Sequence, residues 1–482
     1  MRQIRFFFIL SSITILAALT LLVQSWGVIN GFGMLAPAVI ALAAVIFVAA
    51  AILLYRPDLS ARLLQQIDGL LSQRTILAIA FFTLLILFLT GLIYWGSASP
   101  VLYGPIYPVW LAPFFAWVVV ESLIALVYLA RLQRVAYLPS TPVLILLLAI
   151  LTSGVLVNLR IWDYPSPRKE DIYYTYLDGQ RLLQGENPYA RVLSGDMRVN
   201  EKYSTYFPIF YGLSGLVQRL GLDDFPTWLS FWRVIFMLFN LSIALLLFWI
   251  AGGAPAATNE RTDRGHWVAL AAFSALFWLF NRWTLHVSQT ADIDFIPLFL
   301  LLLSLYLFPR HRILSFLLLG VSLGVKQMGI FLVPLYLIWA WQDGGEHRSR
   351  AAITAVFWIA VIPLLASLPF LAWNREGFIR SIAFSATRDP SVAFEVYSLD
   401  TLLGIFGLRG KLFMLALLTL LYWVAGKEKI GAYTAALLVL AVFVFFNSVM
   451  FTSYLMWLVP LMPLVAVDLL NRLRSTELDQ LD

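Results

Sequence analysis

Trp162–Tyr211 reads WDYPSPRKEDIYYTYLDGQRLLQGENPYARVLSGDMRVNEKYSTYFPIFY. This stretch is charged and rich in Tyr and Pro, and it interrupts a chain of long apolar runs. It is too long to be a turn between two spans. Within it, Asp171–Gln184 carries helix start and stop signals. Pro165, Pro167 and the acidic pair Glu170–Asp171 stand at the front, with Gly185 and Pro188 at the rear. Ile172, Tyr176 and Leu183 share one face, which suits a helix lying in a membrane interface with its rings at headgroup depth. Asp171, Tyr174 and Asp178 project together from the other face.

The rest of the composition sets the fold class. The chain has 482 residues, of which 61% are hydrophobic and 12% charged. Soluble domains carry about twice that share of charge. Alternation at period two is absent, so a barrel is disfavoured. The expectation is an all-α polytopic membrane protein of about 12–14 spans, counted by ~20-residue apolar runs. Lys and Arg number 33 against 27 Asp and Glu, a net charge of +6 that suits basic cytoplasmic loops and gives no reason to expect a nucleic-acid partner. The absence of Cys excludes thiol catalysis, and four His make a His-rich metal site improbable. No metal or other cofactor is expected.

Working outward from the polar stretch, four apolar runs precede Thr141–Leu159: Phe6–Trp26, Met34–Tyr55, Thr75–Trp95 and Val109–Leu132. They read as an N-terminal module over 1–139, separate from a membrane domain over 140–482 whose outer loop is 160–211. Basic residues at loop ends place the polar stretch on the extracytoplasmic face. Phe207–Leu220, broken by Pro208, Gly212 and Gly215, suits a second interfacial or re-entrant helix. Trp228–Ile250 crosses inward, and Trp267–Leu285 with Phe295–Phe308 forms a hairpin. Ile313–Trp341 has basic residues at both ends (Arg310 and Arg312, Arg348 and Arg350), so it must cross an even number of times. Two half-depth helices meeting at GVKQMG satisfy this, with Lys326 buried in protein or facing a watery cavity. Ala351–Trp373, Leu412–Ala425, Ile430–Phe446 and Tyr454–Leu470 complete the chain.

Three polar segments then share one face: Asp163–Tyr211, Asn281–Asp294 and Asn374–Asp400, with Lys326 at the tip of the broken hairpin. Carboxylates beside cations suit displacement of a lipid-linked phosphate by a hydroxyl. One carboxylate removes the acceptor proton. Cations hold the phosphate and its charge as it leaves. No general acid is needed, because the phosphate leaves as a stable anion. Asp171 is the candidate base and Asp163 its rival, while Asp171 could also serve only as a helix cap. Lys326, Arg388 and Arg282 are the candidate phosphate ligands, and Tyr174, Asp178, His286 and Gln289 candidate substrate contacts.

Asp171–Tyr189, DIYYTYLDGQRLLQGENPY, resembles the first outer loop of the GT-C glycosyltransferases. It looks most like the polyprenol-phosphate-mannose-dependent mannosyltransferases, where an acidic residue is followed by Tyr three positions on and by a helix ending G-x-N-P-Y. Tyr203–Phe210 is similar to that group's Y-x-Y-P-P segment, with Ile209 in place of a Pro. Ser288–Asp292 is similar to its G-Q-x-x-N/D run, with Ser in place of Gly. Gly324–Lys326 with Pro334 resembles its G-x-K…P hairpin, and Ser453–Tyr454 stands where it has His-Tyr. The resemblance spans about Val143 to Leu470. It implies an inverting enzyme in a prokaryotic plasma membrane, with its site on the extracytoplasmic face and no obligatory metal. The donor would be a polyprenyl-phosphate sugar, mannose by resemblance, and the acceptor a glycolipid, glycan or protein. It also adds Asn187, Tyr189 and Tyr454 as substrate contacts. A transporter or flippase of lipid-linked sugars is the alternative, disfavoured by charges gathered at one face and by the lack of an evident internal repeat. A structural subunit of an export system would need no base and cation.

Overall fold

The computed structural model describes residues 140–162, 171–190, 204–253, 264–280, 282–387, 408–428, 430–447, 452–465 and 467–468. The four N-terminal apolar runs and the 1–139 boundary lie outside these residues. Among the described residues every regular element is helical and there is no strand.

Helix α1 (Ser140–Ile161) delivers the chain to the polar stretch, where α2 (Asp171–Leu183) and α3 (Ile209–Arg219) pack on each other. A long helix, α4 (Phe225–Gly253), returns along α1. Contacts of Gly154 with Leu241 and of Trp162 with Arg233 set the two antiparallel. Helix α5 (Arg264–Leu279) pairs with α4 and is followed by the short α6 (Arg282–Thr290) and by α7 (Phe295–Leu307). The span expected over Trp267–Leu285 therefore stops at Leu279, and the polar tip itself folds as a helix. Ala291 ends α6 with φ 55°, a left-handed conformation that costs a non-Gly residue about 1 kcal/mol or more. It turns the chain so that Asp292 and Asp294 sit at the head of α7.

Helix α8 (Arg312–Val325) and α9 (Val333–Asp343) form the expected broken hairpin, joined by a 3-10 turn over Gln327–Leu332. Arg312 pairs with Asp343 at 2.9 Å and closes its base, which leaves Lys326 at the tip. The pair is about half exposed and adds little stability by itself, ~0–1 kcal/mol. Inside, Ser304, Ser315 and the Tyr336 hydroxyl bond one another at 2.7–3.1 Å and lock α7, α8 and α9 together. Helix α10 (Arg348–Trp373) crosses α8 at Gly320, where a Cβ would come within 2.6 Å of the Ile359 carbonyl. Helices α11 (Arg375–Thr387), α12 (Leu408–Gly426), α13 (Ala432–Phe445) and α14 (Thr452–Leu455) follow. The run expected as one span over Tyr454–Leu470 is not continuous. Turns fill Met456–Pro460, where the proline nitrogen lacks the donor a helix needs.

Among the described residues, three helices are long and apolar enough to cross a membrane: Phe225–Gly252, Gly345–Trp373 and Arg409–Gly426. Their outward sides expose Leu238, Trp249, Ile353, Phe357, Leu365, Leu412 and Trp423, all between 52 and 68% exposed. Large apolar side chains in such number need an apolar surrounding. Toward the core, Trp228, Trp278 and Trp457 are fully buried, and each indole N–H has an acceptor: the Ser214 carbonyl, the Asn240 carbonyl and the Asp294 carboxylate.

The apolar face of α2 departs from expectation. Ile172 and Tyr176 are buried, and the Tyr176 ring packs edge-on against Phe225 and Trp228 at 5.3 Å. Its hydroxyl donates to the Asp223 carbonyl at 2.5 Å. The helix is docked on protein through these residues, and only Leu183 stays exposed. Helices α2 and α3 approach so closely that a Cβ on Gly179 would come within 2.8 Å of the Gly215 nitrogen. Gly179→Ala is expected to force α3 away and to destabilise by ~1–3 kcal/mol. Gly212→Ala, with nothing within 4 Å of its Cβ, should be neutral or stabilising by up to ~1 kcal/mol. Thermal melts of the two purified variants check the contrast.

Candidate functional site

One end of the bundle collects the first turn of α2, the 204–208 segment, the head of α7, the hairpin tip and α14. Asp171 opens α2 and is half-buried. Its Oδ2 accepts a hydrogen bond from the Tyr206 hydroxyl at 2.5 Å. The ring of the same Tyr206 lies under Lys326, whose Nζ is 5.0 Å from its centroid. One tyrosine thus joins the candidate base to the hairpin cation.

Tyr206 is fixed on every side. Its amide donates to the Tyr211 hydroxyl at 3.2 Å, and its carbonyl accepts from the Tyr189 hydroxyl at 2.6 Å. Gln327 holds the neighbouring Thr205 carbonyl at 2.6 Å, so the 204–208 segment is tied to the hairpin tip. Burial pushes the Tyr206 phenol well above its ordinary value, and the charges near Tyr454, Asp294 and Asp292 push the same way. It therefore keeps its proton at neutral and mildly alkaline pH and remains a donor to Asp171.

Lys326 sits at the end of α8 with 4% of its surface exposed. Asp294 receives it through both oxygens, at 2.8 and 2.7 Å, and is itself fully buried. The Trp457 indole adds a third bond to Asp294 at 2.6 Å, and the Tyr454 ring lies 5.8 Å from Nζ. The buried cation expected at the hairpin tip is thus present, already balanced by a carboxylate. A phosphate approaching Lys326 would meet a pair of zero net charge.

Other expected contacts fall into three groups. Tyr454 lies at the site; Gln289 is buried and His286 half-buried on α6, whose end leads into Asp292 and Asp294. Tyr174 is half-buried on the first turns of α2. Three residues make contacts within the protein. Asp178 is buried, accepting from Arg181 at 2.6 Å and from Ser204 at 2.7 Å, and so anchors the 204–208 segment to α2. Asn187 is buried and its Oδ1 accepts from the Tyr189 amide at 3.0 Å. Tyr189 has no exposed surface and packs among Tyr211, Phe370 and Phe378. Asp178 and Tyr189 spend their polar atoms in holding a docked segment, while the Asn187 Nδ2 is buried without a hydrogen-bond partner. Asp163 and Arg388 lie outside the described residues, and so does the side chain of Arg282, the first residue of α6.

Tyr206, Asp294 and Trp457 carry the site and were not singled out from sequence. An acidic residue immediately before an apolar helix was the available signal for Asp294, since a lysine buried among apolar residues demands a counter-charge. Among the described residues, no cluster of His, Asp and Glu could hold a metal ion. No family model matches the chain, and no curated protein is significantly similar to it.

Lys326→Met would strand a buried carboxylate and is expected to destabilise by ~3–5 kcal/mol. Removing both charges in K326M/D294L should recover most of that loss. Melting temperatures of the detergent-solubilised variants test this pairing.

Proposed function

We propose that the chain is an integral-membrane glycosyltransferase of the GT-C kind, polytopic across a prokaryotic plasma membrane with its site on the extracytoplasmic face. It transfers a sugar, mannose by resemblance, from a polyprenyl-phosphate donor to a hydroxyl of a glycolipid, glycan or protein. The observation that carries the reading is the Asp171–Tyr206–Lys326 connection at one end of an apolar helical bundle. The apolar outer surfaces of three helices long enough to cross a membrane support the lipid setting.

In this reading Asp171 takes the proton of the acceptor hydroxyl. The acceptor oxygen bonds to the anomeric carbon as the bond from that carbon to the phosphate oxygen breaks. The electron pair leaves with the polyprenyl phosphate, and the anomeric configuration inverts. The Tyr206 hydroxyl orients the carboxylate by donating to one oxygen. The neutral Lys326–Asp294 pair gives the site a rigid polar wall.

Membranes carrying the protein, incubated with radiolabelled polyprenol-phosphate-mannose and candidate acceptors, should transfer label. Asp171→Asn should abolish transfer while leaving the melting temperature within a few degrees. Unchanged transfer in that variant would sink the assignment of the base. Tyr206→Phe removes a charge-assisted bond worth ~1.5–3 kcal/mol and should slow transfer by roughly 10–100-fold.

A further inference from the structure

Arg233 lies eight residues into α4, roughly 12 Å below its head, with 8% of its surface exposed. Its Nη1 donates to the Trp162 carbonyl at 2.9 Å and caps the end of α1. That cap accounts for one nitrogen. Nε and Nη2 are buried and have no hydrogen-bond partner among the described residues. No carboxylate among the described residues is within ion-pair distance. A guanidinium does not shed its proton, so it cannot escape burial by neutralising itself. A buried charge is ordinarily paired or bound, and here half of the fork is neither.

The surroundings continue this deficit. Asn240 stands two turns further along the same face of α4 and is fully buried. Its Nδ2 reaches Asn158 of α1 and Ser288 of α6 only at 3.4 Å, and its Oδ1 has no partner. The Thr284 hydroxyl on α6 is also buried without one. A polar seam therefore runs between α1, α4 and α6, and α6 leads into Asp292 and Asp294. Lys326 is balanced by Asp294, whereas Arg233 has no carboxylate partner among the described residues.

We propose that Arg233 forms an oxyanion subsite. Its Nε and Nη2 make the side-on edge of the guanidinium, whose two parallel N–H bonds match two oxygens of a phosphate. The ligand is the phosphate of a prenyl phosphate, an identity that rests on the proposed function. The subsite itself rests on the unpartnered donors alone.

Farnesyl phosphate, farnesol and inorganic phosphate are the probes, and the readouts are melting temperature and Kd for the full chain in detergent. Farnesyl phosphate should stabilise the protein, and farnesol should do so far less. Arg233→Gln keeps an amide to cap Trp162 and loses the charged edge. It should bind farnesyl phosphate at least ~10-fold more weakly, the loss of one charge-assisted contact. Without ligand it should melt at or above the wild type, because a buried unpaired charge has been removed. Wild-type affinity in R233Q overturns the subsite. An R233Q that melts far below the wild type also overturns it, by showing that the charge is paired within the protein. Inorganic phosphate binding as tightly as farnesyl phosphate overturns the lipid ligand. Arg233-dependent binding without sugar transfer would count against the transferase reading and leave the subsite standing.

Discussion

A buried ion pair constrains the packing at the end of this bundle where α2 and the hairpin tip meet. Lys326 and Asp294 come from the tip of one hairpin and the head of another helix, and neither can be left alone in an apolar interior. Each therefore dictates the position of the element that carries it. The tip must reach the head of α7, and the left-handed turn at Ala291 aims the carboxylate to receive it. Trp457 and Tyr454 then close on the same pair from the end of the chain. The pair contributes little net stability against an apolar substitute of the same shape. Its effect is registry: alternative packings of these segments would strand a charge.

Tyr206 transmits that registry to Asp171. Its ring rests on the ion pair and its hydroxyl on the carboxylate, while its backbone is held by two other tyrosines. The polar stretch is thus not a loop lying over a finished bundle. It is packed into it, through Gly179 against α3 and Tyr176 against α4. The candidate base consequently sits on a helix whose burial fixes its direction, which is how a catalytic geometry is kept to within a fraction of an ångström.

The helical class, the bounds of α2 and the hairpin at Lys326 were legible in the sequence, each for a local reason. Proline and glycine punctuate α2 within a few residues of its ends. The hairpin followed from basic residues at both ends of one apolar run. What was hidden is long-range. Asp294 meets Lys326 across 32 positions and Trp457 across 163, and no periodicity encodes such pairs. Asp178 reads as a ligand contact because it shares a helix face with the candidate base, and Asn187 and Tyr189 do so through the resemblance of their motif. Whether a polar side chain faces a ligand or a neighbouring backbone depends on packing that the sequence does not display. Arg233 gives no signal for the converse reason, since a single cation inside a long apolar helix does not show whether it has a partner.

The order in which these pieces leave the ribosome matters if the chain inserts as it is made. Asp294 emerges first and must wait for Lys326, and both precede Trp457. A hairpin whose ends lie on one side, carrying a charge at its tip, is a poor candidate to enter lipid alone. It has a partner already in place at the head of α7. The turns around Trp457 then act as a late seal, so the polar cluster would be assembled in the order of the sequence.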